Sequence, residues 1–600
     1  MSSTINISPI PPGVRLHLTD TPLARSLRHP VPDCRATRRY QQSLDIQLDA
    51  ERRDWGVERM GREATAPLCR AAFCWYSPLS RHHRDPVLLQ FFQDGFRRYV
   101  GDFDDTGLPK RFGLNGESWA HGWDIEGLIY GLHFCREALA ADVLELAASR
   151  FPLAARRLAN LKRTPEIIGS YGNQRTVWTL GLYLYGQILN DPQLTALSDQ
   201  FFYEALDKIL DPSGQVIEQQ GPCMHYSYTA LTYAWLNLAV RGDHSRDSLL
   251  SKTLAWFRAR HTDSFYPLAG PSTRTYNETL NGFVTDLLTA AESIAATDPM
   301  PLEWVTQAAA HADLVRSAHG GSPLIWAMLA CTGDHTPTTA QREQWDASRL
   351  DFYGHTHLLK RAPMKYLLAR QRYQTHFNLR DYLPFSGIQT WAWENEPPII
   401  HPTPIAPSTT QGFGLDTARQ GVSHNWGGYG AGAVGIDGYL NGNCLVTRYD
   451  WFWRVVVFTP AATVVVEFGR GGNRRTLWTL NRVEPTTPNI GSGRVTFTGR
   501  AGCLHTTLKA LPELVSLPDG HAWTKNVRQL MYDCGDGMVA FALSNDEFRF
   551  TDPLHFTDAS GSYELQLDPR LLSADNPGNL SIDTWKLARE TKVICRTGNP

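Results

Sequence analysis

The sequence predicts an α + β multidomain protein: an N-terminal (α/α) toroid of antiparallel helix pairs over residues 1–340, then a C-terminal antiparallel β-sandwich region over residues 341–600. Three observations predict it. The chain has 600 residues, more than one hydrophobic core sustains. Its first half carries a 3.6-residue apolar period in one segment after another. Beyond about residue 345 the texture changes to short alternating runs rich in β-branched and aromatic residues.

The helical segments come in order. DPVLLQFFQDGFRRYV (85–100), DIEGLIYGLHFCREALAADVLELAASRF (124–151) and VWTLGLYLYGQIL (177–189) each repeat the helical period. So do PQLTALSDQFFYEALDKIL (192–210), TALTYAWLNLAV (229–240), SLLSKTLAWFRARH (248–261) and LNGFVTDLLTAAESIAA (280–296). Loops with Gly, Pro, Asn or Asp separate them: GLNGESWAHG, IGSYGNQR and YPLAGPSTRTYN. GDHTPTTAQREQWDASRLD (333–351) reads as the linker. After it, THLLKRAPMKYLLARQRY, NCLVTRYDWFWRVVVFTPAATVVVEFGR, GRVTFTGR and GMVAFALS read as strands, and GRGGNRR, LPDG and CGDG as turns. Such runs pack as antiparallel sandwiches, with more than one sheet expected here.

Composition narrows the function classes. Hydrophobic residues at 42% and charged residues at 20% are ordinary for a globular protein. A net charge of −2 supplies no global field for nucleic acid or for a membrane surface, so neither is expected as a partner. The 18 Trp, 22 Tyr and 25 Phe fit a carbohydrate binder, since sugar rings stack their C–H faces on aromatics; as core filler the same residues are unremarkable. The ten cysteines show no CxxC pair and no Cys/His zinc spacing, and read as buried free thiols. The opening MSSTINISPIPPGVRLHL has no basic region followed by an apolar one. A cytoplasmic location is therefore expected, or a secreted or periplasmic one if a leader has been removed.

Polar clusters recur at the helix entrances. NGESWAHGWDIEG offers Asn115, Trp119, His121 and Trp123; SYGNQRTVW offers Asn173 and Arg175. EQQGPCMHYSY brings Gln220, His225, Tyr226 and Tyr228, with Tyr233 further along, and GPSTRTYNE brings Arg274, Tyr276 and Asn277. Each alone reads as a cap or a loop, because Asn before a helix caps it and Gly-Pro starts one. Their recurrence on successive helix starts is what points to one shared cleft.

From IGSYGNQRTVWTLGLYLYGQILNDPQLTALSDQFFYEAL through EQQGPCMHYSYTALTYAWL to YPLAGPSTRTYN, the chain resembles the polysaccharide lyases of the chondroitin AC, hyaluronate and xanthan lyase type. HTHLLKRAPMKYLLARQRYQTHFNLRDYLP is similar to that family's His-Arg-Arg strand pair, and TRYDWFWRVVVFTPAATVVVEFGR to its Lys-Ser-Trp-Phe segment. The likeness spans roughly residues 110 to 475 as order and spacing; the heparinase and alginate lyase toroid families share the architecture more distantly. The resemblance implies a carbon–oxygen lyase that cleaves a uronic-acid-containing glycan by β-elimination and leaves a 4,5-unsaturated uronate end. The implied partner is an acidic polysaccharide or oligosaccharide.

That reaction sets its own requirements. The C5 proton is weakly acidic because it lies α to a carboxylate, and the charge on that carboxylate opposes enolate formation. A neutraliser must hydrogen-bond the carboxylate as the aci form develops. An Asn amide or an Arg guanidinium suits this, the latter gripping both oxygens. A base removes the C5 proton and an acid protonates the departing O4. Asn173, His225, a following tyrosine and Arg274 supply the set, and the scheme requires no metal or other cofactor.

The resemblance assigns Asn173, at the family's Gly-Asn position, as neutraliser, with Arg274 in the arginine loop. It puts Gln220 where the family has its histidine, so the base is either His225 or a tyrosine acting as both base and acid. Tyr228 shares a helix face with His225 at i, i+3 and is expected at an exposed entrance, which favours it over the deeper Tyr233. Trp119, His121, Trp123, Arg175, Gln220, Tyr233, Tyr276, Asn277 and Asn378 are the expected substrate-binding residues. His355 with His357, His376 and His424 offer weak support for a structural ion, and His376 or His424 could supply the base missing at Gln220. The alternatives are a toroid glycoside hydrolase using two carboxylic acids from Glu117, Asp124, Glu126 and Glu218, or a non-catalytic glycan-binding protein.

Overall fold

The computed structural model describes residues 14–55, 62–104, 107, 121–160, 172–210, 212, 214, 216, 224–259, 284–311, 322–335, 349–352, 356–361, 364–369, 387–393, 399, 422–426, 437–441, 444–448, 452–469, 475–481, 493–499, 502–516, 527–544, 547–567 and 592–596. They fall into two compact units whose main boundary lies between Trp345 and Asp346.

The first unit is helical: α1 (Pro22–Leu27), α2 (Arg35–Arg53), α3 (Arg62–Tyr76), α4 (Pro86–Gly101), α5 (His121–Cys135), α6 (Ala141–Ala159), α7 (Gly172–Leu189), α8 (Pro192–Ile209), α9 (Met224–Arg241), α10 (Asp247–Ala259), α11 (Val284–Ile294), α12 (Met300–His311) and α13 (Ser322–Ala330). The stretch 124–151, read as one periodic run, divides between α5 and α6. Ala140 is extended, at φ −66° and ψ 147°, and starts α6.

Two classes of helix alternate. In α4 and α8 a buried stripe backs onto an exposed face, and each begins with an Asp cap followed by Pro. Asp85 accepts from the Val87 amide at 2.8 Å, and Asp191 from those of Gln193 and Leu194 at 2.8 and 3.2 Å. By contrast α5, α7, α11 and α13 are buried along nearly their whole length, as helices lined on all sides must be. The buried helices meet in succession: α3 on α5, α5 on α7 and α11 on α13. Asn237 of α9 donates to the Thr176 carbonyl of α7 at 2.8 Å, and Trp235 of α9 to Ser293 of α11 at 2.6 Å. Finally α13 packs on α2 and α3, which closes the ring. This is the (α/α) toroid.

The second unit is built from β1 (Arg349–Phe352), β2 (Thr356–Arg361), β3 (Met364–Ala369), β4 (Gly387–Trp393), β5 (Val422–Trp426), β6 (Asp437–Asn441), β7 (Cys444–Arg448), β8 (Phe452–Phe458), β9 (Ala462–Gly469), β10 (Arg475–Asn481), β11 (Arg494–Thr496), β12 (Cys503–Thr506), β13 (Glu513–Ser516), β14 (Val527–Asp533), β15 (Gly537–Ser544), β16 (Arg549–Asp552), β17 (His555–Asp558), β18 (Gly561–Gln566) and β19 (Lys592–Arg596). A seven-stranded sheet of order β11-β12-β15-β9-β8-β7-β6 is its centre. Four-stranded sheets β1-β2-β3-β4, β13-β14-β10-β5 and β16-β17-β18-β19 complete it. All pairings are antiparallel except β5 with β10, which is parallel.

Alternation on β8 and β9 explains the layering. Val456, Phe458 and Val465 face one core with Trp391, Trp478, Leu530 and Phe541. Trp453, Val455, Val457, Val464 and Val466 face a second core with Phe556, Tyr563 and Leu565. A sheet covered on both faces needs apolar residues at every position, which is why this stretch of sequence is nearly continuous in Val and Phe. Within it, Arg454 and Glu467 stand opposite each other and are both fully buried. Arg454 Nε donates to Glu467 Oε1 at 2.9 Å, and Thr476 Oγ1 donates to Oε2 at 2.7 Å.

Candidate active site

The helix starts expected to form a cleft are carried by α5, α7 and α9. Close approach of α5 and α7 depends on two glycines. A Cβ on Gly122 would lie 2.2 Å from the Val177 carbonyl oxygen, and one on Gly181 would lie 2.8 Å from the Gly122 Cα. Only hydrogen side chains let the two backbones meet there.

Asn173 stands in the first turn of α7 and is 3% exposed. Two residues on, Arg175 is committed to α8. Its Nε donates to the Phe201 carbonyl at 3.0 Å, its Nη2 to Glu204 at 2.8 Å, and its guanidinium lies over the Phe201 ring at 5.3 Å. These contacts tie the Arg175 guanidinium to α8.

His121 opens α5, as its sequence position suggested, but is fully buried. Its Nε2 lies 2.7 Å from the Tyr185 hydroxyl of α7. Burial depresses its pKa to about 3, so the ring is neutral at ordinary pH. Nearby, the Tyr99 hydroxyl of α4 donates to Asp124 Oδ2 at 2.5 Å, and the charge of Asp124 adds to the burial that pushes the Tyr185 phenol upward. His121 is thus part of a buried polar seam. The seam also ties up Asp124, one of the candidate hydrolase acids, at 1% exposure; Glu126 is 4% exposed. The seam escaped the sequence reading because Tyr99 and Tyr185 sit in periodic helices where an aromatic reads as core.

Tyr228 and Tyr233 part company on α9. Both are 1% exposed, so the expected exposed entrance at Tyr228 is corrected: the early packing of α9 on α10 covers it. The Tyr228 ring lies 4.8 Å from Phe257 of α10. Five residues on, some 140° around the helix, Tyr233 meets Trp123 of α5 at 6.2 Å. Trp123 is half-buried. The structure thus brings together two of the expected substrate contacts, Trp123 and Tyr233, on facing helices. His225 lies in the first turn of α9, on the backbone. Trp119, Gln220, Arg274, Tyr276, Asn277 and Asn378, along with Asn115, Glu117, Glu218, His355 and His376, lie outside the described residues. His357 and His424 fall on β2 and β5.

Among the described residues, no group of three or more His, Cys, Asp or Glu is placed to hold a metal ion. No described helix is long and apolar enough to cross a membrane.

No protein-family profile matches the chain, and no curated relative does. Solved structures do. Chondroitin AC lyase of Streptomyces coelicolor A3, in complex with chondroitin sulphate, matches 92% of this chain and 86% of its own at 12% identity, with a TM-score of 0.53. Heparinase III matches 93% of this chain and 91% of its own at 10% identity, with a TM-score of 0.52. The chain has the fold of these polysaccharide lyases. The match runs through both the toroid and the β unit, since nine-tenths of the chain is covered.

Proposed function

We propose that the protein is a polysaccharide lyase that cleaves a uronic-acid-containing glycan by β-elimination. The observation that carries this is the toroid-plus-sandwich fold shared, over 92% of the chain, with a lyase holding chondroitin sulphate. Asn173 at the start of a buried ring helix is consistent with it. The amide of Asn173 hydrogen-bonds the uronate carboxylate, and Arg274 supplies a positive charge to the same group. His225 takes the C5 proton, or a tyrosine of α9 does so in its place. The acid that protonates O4 is Tyr228, on the helix face it shares with His225, with Tyr233 beside Trp123 as the second candidate.

The hydrolase alternative needs two acids open to a sugar. Asp124 is buried and already bound by Tyr99, and Glu126 is buried as well. The other two candidate acids, Glu117 and Glu218, lie outside the described residues.

Screening uronate polymers for the ultraviolet absorbance of a double bond conjugated to a carboxylate tests the reading. Asn173→Ala is expected to lower turnover by about 10²–10³-fold with the helical circular dichroism kept. Tyr228→Phe and Tyr233→Phe, made separately, decide which phenol is the acid. Chain shortening that yields saturated ends without the ultraviolet signal would overturn the proposal.

A further inference from the structure

The point where the toroid closes carries a second chemistry. Cys34 immediately precedes α2, and Cys331 immediately follows α13. They are 297 residues apart in sequence, yet their sulfurs lie 3.8 Å apart. Among the eight cysteines whose side-chain burial is described, Cys34 alone is not buried, whereas Cys331 is 1% exposed. The Cys34 thiol also lies 3.4 Å from the Thr37 hydroxyl, which helps to start α2.

Behind Cys331 stands Glu292 of α11, itself 1% exposed. The Tyr40 hydroxyl of α2 donates to Glu292 Oε1 at 2.6 Å, and the Cys331 thiol, whose sulfur lies 3.7 Å from the Gly333 carbonyl, is close enough to feel the charge of the same carboxyl. Burial raises Glu292 to about 7, with Asp334 pushing the same way. A carboxyl of that strength is part ionised near neutrality and can accept a proton. Burial and the neighbouring Glu292 push the Cys331 thiol upward, so it needs such a base to react.

We propose that Cys34 and Cys331 are a redox modification site: a small aliphatic disulfide, such as oxidised glutathione, converts them to a cystine that ties the start of α2 to the end of α13, with Glu292 as proton acceptor for Cys331. Cys34 meets the oxidant because it is the accessible thiol; its proton goes to solvent. Its thiolate attacks one sulfur of RSSR, forming Cys34–S–S–R and releasing RS⁻. The proton of Cys331 then passes to the Glu292 carboxylate, and the Cys331 sulfur attacks that of Cys34. The Cys34–S–S–Cys331 bond forms and the second RS⁻ leaves. Two thiols lose two electrons, which RSSR gains. A disulfide spans about 2.0 Å, so the sulfurs close by less than ~2 Å, within reach of side-chain rotation.

The cystine closes a chain loop that contains every other helix of the ring except α1, so it restrains the unfolded toroid strongly. The full chain is incubated with mixtures of reduced and oxidised glutathione and mapped by mass spectrometry without reduction. A linked Cys34–Cys331 peptide is expected, with a rise in thermal midpoint of about 5–10 °C that dithiothreitol reverses. Cys34→Ser and Cys331→Ser each remove both signals. Glu292→Gln keeps the linked peptide but slows its formation roughly tenfold or more, with glutathione accumulating on Cys34. Persistence of two free thiols in fully oxidised glutathione overturns the proposal, as does glutathione retained on Cys34 of the unsubstituted chain. A linked peptide with no midpoint rise removes the ring-closing role, and unslowed closure in Glu292→Gln removes the base.

Discussion

Each half of the chain buries a glutamate among its best-packed residues, and the two keep opposite company. Glu467, in the seven-stranded sheet, faces the Arg454 guanidinium and a threonine hydroxyl. Glu292, in the toroid, accepts from the neutral Tyr40 hydroxyl, and among the described residues it has no ion-pair partner. A cation beside a buried carboxylate offsets its lost hydration; neutral donors offset only part of it. Burial therefore drives Glu292 toward its protonated form and up to about 7. Glu467 is held by a charge partner, while burial leaves Glu292 able to exchange its proton near neutrality.

The comparison is open to test, starting with the largest effect. His121 is a second shifted group of the toroid, and its shift has the opposite sign. In the folded chain it takes a proton only near pH 3, while the unfolded chain takes one at about 6.5. Below 6.5 the unfolded state binds more protons, so stability falls as pH falls, by roughly 4–5 kcal/mol near pH 3. His121→Asn is expected to flatten that part of the stability–pH curve, read by urea unfolding at a series of pH values.

In the β unit, Arg454→Met leaves Glu467 buried without its cation and should cost about 4 kcal/mol. Adding Glu467→Leu should recover most of it, as a denaturant midpoint would record. If the double variant is no better than the single, the pair is not what holds this site.

Glu292 carries the opposite sign from His121. The unfolded chain loses this proton at about 4.5 and the folded chain at about 7, so stability falls as pH rises between them. Glu292→Gln should stabilise the reduced protein by about 3 kcal/mol at pH 8 and by almost nothing below pH 4.5. An equal effect at both pH values would mean that packing, not ionisation, is responsible.

The smallest effect is local. Asp191→Ala removes two amide acceptors at the start of α8 and should cost about 1 kcal/mol, visible as a small fall in thermal midpoint.

Much of this was legible residue by residue. Periodicity located α4, α7, α8 and α10. The run rich in β-branched and aromatic residues from Phe452 to Gly469 signalled strands; that both faces are covered came from the structure. The site was legible only in part. Asn173 does stand at a helix start, and Trp123 does lie near Tyr233. Arg175 looked like a free cation at a cleft because Glu204, its partner, is a full helix away in sequence. Tyr228 looked exposed because a helix entrance is polar in sequence whether or not another helix covers it.

By itself the sequence determined what depends on near neighbours: which segments are helix or strand, where their caps fall, and which side chains able to do β-elimination recur at helix starts. Those follow from backbone sterics and from periods of 3.6 and 2. Only the tertiary structure decided that Tyr228 and Tyr233 face different helices, that His121 is buried and neutral, and that Cys34 meets Cys331. Each of these depends on groups far apart in the chain, and the desolvation and contact that set their chemistry arise only when the ring closes.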